Sequence, residues 1–291
     1  MKVLVLGANG MLGHKLMQVL TKDGLDVVGT VRPKLDYYLR NVLSGIGTDD
    51  TSIRTALSQT SFDVVVNCIG LVKQRMTNTE SSVLETIETN SVFPHRLLKH
   101  CQSYGVSKLI HLSTDCVFSG NRGHYTEGDT PDSTDLYGQS KSLGEIPNIP
   151  KVLTLRTSFI GKELQTKKGL LEWILAQKGK RAQGFVNVKW NGVSTLQLSK
   201  TISKIIMEFP DLKGLYHIAS PHEVNKWWIL DQLNTRLNLD IDLECSLSPT
   251  SFMTLDPSKF LDSTGIRIPD WYIMMEDLVE DLYESYNYPR N

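Results

Sequence analysis

Between an apolar run, Lys2-Val-Leu-Val-Leu6, and a stretch with helical spacing, Met11 to Leu20, the chain places three glycines as Gly7-Ala-Asn-Gly10-Met-Leu-Gly13. A strand, a glycine turn and a helix in that order constrain the fold more than any other feature of the sequence. They open a β-α-β unit on a parallel sheet. Backbone N–H groups at a helix amino terminus hold a pyrophosphate, and a Cβ in the turn would block its approach. A turn that needs glycine only for positive φ is the simpler account, but the flanking strand and helix favour phosphate binding. Gly7, Gly10 and Gly13 are therefore candidate dinucleotide-binding residues.

The end of the second strand, Asp26 to Val31, bears on which dinucleotide. A site for NAD usually offers an acidic residue there to the ribose 2′-hydroxyl. This chain continues Thr30-Val31-Arg32, and its nearest acid, Asp36, lies beyond Pro33. Arg32 can receive a 2′-phosphate through a charge-assisted hydrogen bond worth roughly 1.5–3 kcal/mol, about one to two orders of magnitude in preference. The reading is NADP, with NADPH preferred and NADH usable; an Arg32 turned to solvent would remove the preference.

The alternation of apolar runs and amphipathic stretches continues through the first half. Residues 33–60 read as a short strand or loop followed by a helix near Thr51 to Gln59. Asp63 to Ile69 is a strand, Thr86 to Tyr104 a long helix, and Lys108 to Leu112 a strand. A polar loop, Ser119 to Asp135, precedes a helix beginning near Leu136, and Lys151 to Arg156 is a further strand. Beyond residue 158 the alternation breaks down. Helices are expected at Leu170 to Gln177, Leu196 to Glu208, 224–237 and 271–286, with a strand at Gly214 to Ala219. The expected division is a dinucleotide-binding domain over 1–158, rejoined by 193–222, and a smaller lobe made of 159–192 and 223–291.

Bulk properties exclude several classes. Against 32 acidic side chains stand 31 basic ones, a net charge of -1 with no basic excess for nucleic acid. No apolar stretch approaches the ~20 residues that span a bilayer, and Met1-Lys2 leads straight into the first strand, so a cytoplasmic protein is expected. The four cysteines, Cys68, Cys101, Cys116 and Cys245, form no C-x-x-C pair, so neither a zinc site nor a disulfide framework is expected, and no metal is assigned.

Tyr137-Gly-Gln-Ser-Lys141 carries the chemistry. At i and i+4 of a helix the phenol and the ammonium share a face, about 5–6 Å apart at Cβ. Reduction of a ketone needs a proton for the forming alkoxide. Lowering a phenol pKa from about 10 to about 7 requires roughly 4 kcal/mol, which a cation at about 4 Å supplies at an effective dielectric of ~20. A lone Y-x-x-x-K is common on exposed helix faces. Here Ser113-Thr114-Asp115 also follows a strand, and the carboxyl ends of parallel strands are where open α/β sheets bind ligands. Thr114 as carbonyl binder, Tyr137 as proton donor and Lys141 as activator form the candidate catalytic set.

The segments L-S-T-D-C-V-F-S-G at 112–120, Y-T-E-G-D at 125–129 and Y-G-Q-S-K-S-L-G-E at 137–145 resemble the dTDP-4-dehydrorhamnose reductase family. So do L-R-T-S-F at 155–159, G-L-Y-H-I-A at 214–219 and the triplet Pro269, Asp270, Trp271. The resemblance implies an α/β fold, a Rossmann-type doubly wound parallel sheet with a smaller carboxy-terminal substrate lobe. It implies NADPH-dependent reduction of the 4-keto group of a nucleotide-linked 6-deoxyhexose, in the synthesis of polysaccharide or glycan precursors. Lys141 would also bind the cofactor ribose beside Tyr137. Asn9, Met11, Leu12, Cys68, Ile69 and Gly70 would line the cofactor with the three glycines and Arg32. Asp115, Val117 and Phe159 would border the sugar with Thr114. The resemblance also allows a homodimer.

Four departures bear on the substrate: Cys116 stands where the family often has Tyr, and Phe159 where it often has Trp. Gly70-Leu-Val-Lys-Gln74 looks more like relatives acting on other nucleotide sugars, and Val188-Lys-Trp-Asn-Gly-Val-Ser194 departs from the usual glycine-proline loop. A reductase or epimerase on another nucleotide sugar is therefore a rival reading; a dehydratase is disfavoured, because Thr114-Asp115-Cys116 lacks the glutamate that dehydratases carry. A non-catalytic NADP-binding subunit, like the regulatory subunit of methionine adenosyltransferase, is the rival from another class. Among other residues, Glu145 reads as a surface partner of Lys141, Trp227 and Trp228 as packing, and His111 and His217 as strand residues. Lys73 reads as a solvated loop lysine or a diphosphate contact.

Overall fold

Four apolar side chains in a row, Val3 to Leu6, suit a strand covered on both faces, and all four are buried in β1 (Lys2–Leu6). The computed structural model describes residues 1–32, 41–165 and 167–289; Pro33 and Asp36 lie outside the described residues. In it, β1 belongs to a seven-stranded sheet with β2 (Asp26–Val31), β3 (Val42–Ser44), β4 (Val64–Asn67), β5 (Lys108–Thr114), β6 (Val152–Thr157) and an edge strand, Gly214–His217. From that edge the order is Gly214–His217, β6, β5, β4, β1, β2, β3, and every neighbouring pair is parallel.

Successive residues of β1 point to opposite faces, and each face has its own core. Val3 and Val5 pack with Leu12 and Leu16 of α1 (Met11–Lys22) and with Leu198 and Ile202 of the helix Thr195–Glu208. Leu4 and Leu6 pack with Ile53 and Leu57 of the helix Asp50–Leu57 and with Phe93 and Leu97. The sheet is doubly wound. Its register sets Leu6 beside Thr30 and Asn67, and Thr114 beside Thr157, so the carboxyl ends of the strands open on one side.

The long helix starts six residues before the expected Thr86, because Thr79 accepts a hydrogen bond from Ser82 N and Glu80 occupies the first turn. Glu80–Ile87 is α-helical, Glu88–Val92 is a π turn, and Phe93–Ser103 resumes the α-helix. Pro94 has no N–H to offer the carbonyl of Asn90, so the ladder widens there.

The second lobe carries more regular structure than its sequence suggests. Arg181–Phe185 pairs with Asp242–Ser246, and Val188–Trp190 lies between Val224–Asn225 and Ser251–Met253. The helix Lys226–Leu237 covers these strands, Leu170–Leu175 packs on that helix, and Ser258–Thr264 packs on the edge strand Gly214–His217 of the main sheet. The last helix, Trp271–Tyr286, reaches back to α1: Lys15 Nζ pairs with Asp281 at 2.7 Å and Tyr286 OH meets His14 Nε2 at 2.6 Å. One apolar cluster runs through sheet domain and lobe alike, so the boundaries expected at 158 and 222 cut a continuous core. Among the described residues no helix is long and apolar enough to cross a membrane.

Candidate active site

The strand order reverses between β1 and β4, and at such a point an open α/β sheet leaves a crevice outside its carboxyl ends. Gly7 takes φ of 79° and its carbonyl accepts from Gly10 N at 2.9 Å, which winds the turn after β1. A Cβ on Gly13 would strike that same carbonyl, so α1 can sit this close to β1 only with glycine there. Gly10 caps α1 without a side-chain hydrogen bond, leaving the first-turn N–H groups for an anion. The cradle fits a pyrophosphate. Across it lie Cys68, Ile69 and Gly70, the Ile69 side chain 3.1 Å from where a Gly7 Cβ would be.

The other expected cofactor residues differ in what they present. Met11 is half-buried at the start of α1, and Leu12 is buried in the core, so its backbone alone faces the turn. The Asn9 amide donates to Gln165 Oε1 at 3.3 Å. Burial pushes the Cys68 thiol up to about 12, so it stays protonated. Arg32 stands at the end of β2, half exposed, in an ion pair with Glu85 at 3.4 Å. A 2′-phosphate would have to displace that carboxylate.

β5 delivers Thr114 to the open end of the sheet. Its hydroxyl donates to Asp115 Oδ1 at 3.1 Å and accepts from Cys116 N at 3.1 Å. The helix Leu136–Leu143 is capped by Asp135, which accepts from Gly138 N at 2.8 Å. A Cβ on Gly138 would collide with the Cys116 carbonyl, so the helix sits close on the segment after β5; the Thr114 hydroxyl neighbours the Tyr137 phenol. One turn on, Lys141 is buried, its Nζ donating to Leu112 O at 2.6 Å and standing 3.9 Å from a Cβ built on Gly70. Asn90, in the π turn, ties the segment after β4 to this helix. It accepts from Leu71 N at 2.9 Å and donates to Leu71 O at 3.0 Å and Ser140 Oγ at 3.2 Å.

The electrostatics reverse one expectation. The Tyr137 phenol is not lowered towards neutrality: burial pushes its pKa well above the ordinary value, Cys116 adds to the rise, and Thr114 opposes it. Burial also lowers the Lys141 ammonium to about 8, with Glu145 opposing. The cause is desolvation. The lysine is committed to a backbone carbonyl, and Cys116, Asp115 and Asp135 near the phenol all disfavour a phenolate. Tyr137 is thus a held proton rather than a half-ionised group.

On the side expected for substrate, Asp115 is buried, and burial raises its carboxyl while the Cys116 and Thr114 hydrogen bonds pull it down. Phe159 is half-buried beyond β6, opposite Val193. Val117 does not reach the crevice surface. It is fully buried with Phe118, Tyr125, Ala219 and Leu255, and its carbonyl accepts from Asp132 N and Ser133 N. Lys73 pairs with Asp135 at 2.7 Å.

Glu145 is a buried partner, not a surface one: Arg156 grips both its oxygens at 2.7 Å, and Ser113 Oγ donates to it at 2.6 Å. The signal was an arginine ending an apolar strand, which needs a carboxylate. Sequence reading missed Asn90, at which the proline four residues later hinted.

Residues 1–241 match the family model described as the RmlD substrate binding domain. A probable low-salt glycan biosynthesis reductase of Haloferax volcanii is 30% identical over 236 residues, covering 77% of this chain and 76% of that protein. A probable dTDP-4,6-dihydroxy-2-methyloxan-3-one 4-ketoreductase of Streptomyces antibioticus is 29% identical over 257 residues, 83% of this chain and 78% of that one. Among solved structures, the dTDP-4-dehydrorhamnose reductase of Bacillus anthracis in complex with NADP superposes with a TM-score of 0.81 at 19% identity. That match covers 96% of this chain and 99% of the other, and it is a likeness of fold.

Proposed function

The chain belongs to the dTDP-4-dehydrorhamnose reductase family, whose model is described as the RmlD substrate binding domain, and on that premise we propose that it reduces the 4-keto group of a nucleotide-linked 6-deoxyhexose with NADPH. The product would feed glycan or polysaccharide synthesis. The observation that carries this reading is the meeting of the Thr114 hydroxyl and the Tyr137 phenol at the open end of β5.

Each residue has a defined task. Thr114 Oγ1 leaves Asp115 Oδ1 and donates to the keto oxygen, which orients and polarises the carbonyl. The glycine turn and Lys141 would hold a nicotinamide cofactor, which when bound would supply the hydride for the carbonyl carbon. Tyr137 passes its phenolic proton to the oxygen as negative charge builds there, and its raised pKa keeps that proton in place at neutral pH. Lys141 Nζ would have to turn from Leu112 O to stabilise the phenolate left behind until water reprotonates it. Preference for NADPH rests on Arg32 at the end of β2, which must exchange Glu85 for the 2′-phosphate.

The test is oxidation of NADPH by purified protein with a panel of 4-keto nucleotide sugars. Consumption with a dTDP-4-keto-6-deoxyhexose, and a product heavier by two hydrogens, is expected. Tight NADPH binding without oxidation by any member would instead support a non-catalytic binding subunit. The same reading carries a cytoplasmic location and a homodimer, the latter checked by light scattering.

A further inference from the structure

The glycine turn is pinned from the far end of the chain. His14, one turn into α1, is 1% exposed, and both its ring nitrogens are bonded: Nδ1 to Gly10 O at 2.7 Å and Nε2 to Tyr286 OH at 2.6 Å. A carbonyl only accepts, so Nδ1 carries the proton. Burial lowers the imidazole pKa, so the ring is neutral and Nε2 is a lone pair. Tyr286 is then the donor, and burial raises its own pKa, which keeps the proton on the phenol. Gly10 O also accepts from His14 N at 3.2 Å, the opening bond of the α1 ladder. The ring bond is the shorter of the two.

Gly10 O belongs to the same peptide group as the Met11 N–H. That group is trans and planar, so its C=O and N–H point in opposite directions. Holding Gly10 O on His14 therefore aims the Met11 N–H out of the helix start, where the cradle takes an anion. Glycine makes the pin necessary. With no Cβ, Gly10 resists rotation of this peptide less than another residue would. A second donor on the carbonyl also polarises the group and strengthens its N–H.

Tyr286 is held in its turn. Lys15 Nζ lies 4.7 Å from the centroid of its ring and pairs with Asp281 of the same helix at 2.7 Å. That helix, Trp271–Tyr286, has 16 residues and a length of about 24 Å. Its first residue donates its indole N–H to Gly192 O at 2.8 Å and stacks on Trp190 of the second lobe. One rod thus runs from the lobe to the phosphate cradle.

We propose that His14 and Tyr286 are positioning residues for the cofactor pyrophosphate. The hydroxyl of the last helix fixes the imidazole, and the imidazole fixes the Gly10–Met11 peptide that meets the phosphate. The assignment rests on the dinucleotide seat of the reading above, not on the reduction, and neither residue touches a reacting atom.

The test needs no turnover. NMR of the apo protein labelled on its histidine ring nitrogens should show His14 as the Nδ1–H tautomer, its signal assigned by its loss in His14→Asn. By calorimetry, Tyr286→Phe should weaken NADPH, NADH and ADP-ribose by one common factor, because all three share the pyrophosphate. That factor should be about 3- to 10-fold, the scale of one neutral hydrogen bond. His14→Asn, whose amide N–H can take the place of Nδ1–H, should recover most of the affinity that His14→Leu loses; thermal melts check that each variant is folded. An Nε2–H tautomer in the wild type, unchanged affinities in Tyr286→Phe, or a loss confined to NADPH would each overturn the assignment. So would a His14→Asn variant that binds no better than His14→Leu. A wild type that binds NADPH but reduces no 4-keto sugar sinks the reductase reading and leaves this assignment standing. One that binds none of the three nucleotides sinks both.

Discussion

The glycine turn after β1 and the corner where Trp190 meets Lys226 are held in unlike ways. The turn offers backbone: Gly7 at positive φ, Gly10 capping α1 with no side chain, Gly13 pressed on the Gly7 carbonyl. All of it comes from seven consecutive residues. The corner offers side chains brought from three distant segments, with Trp271 behind Trp190 and Lys226 in front. Backbone geometry can bind any pyrophosphate, whereas assembled side chains can tell one sugar from another. Cofactor affinity and sugar choice should therefore be separable by mutation.

The most severe challenge to that separation is Tyr137→Phe. Turnover should fall by about 10²–10⁴, the scale for losing a general acid, while NADPH affinity and sugar KM hold. A parallel loss of NADPH binding in calorimetry would mean that the phenol belongs to the cofactor half. Next comes Arg32→Ala. NADPH should bind about 10- to 100-fold more weakly and NADH should be unaffected, with the sugar KM unmoved. Equal loss of both nucleotides would show that Arg32, already paired with Glu85, serves the fold and not the 2′-phosphate.

The same contrast explains what could be read in advance. The sheet, the turn and the pairing of Thr114 with the helix of Tyr137 and Lys141 follow from short-range pattern: apolar runs, glycine spacing, an i,i+4 repeat. Four features needed tertiary structure. The π turn at Asn90 depends on a proline whose effect falls four residues upstream. The Glu145–Arg156 pair depends on burial that an i,i+4 spacing from Lys141 disguises. Val117, expected to border the sugar, is core. The phenol's pKa follows from desolvation, which outweighs a cation that is already bonded to Leu112.

That last point has a pH signature. Lys141 titrates near 8 in the folded protein, so it is cationic below and neutral above. Because it must stabilise the phenolate, reduction at saturating NADPH should be full at neutral pH and fall about tenfold from pH 7 to pH 9. Tyr137, raised further, keeps its proton through this window and adds no limb of its own. A limb centred near 7 would restore a half-ionised phenol; a flat profile to pH 10 would remove Lys141 from the step.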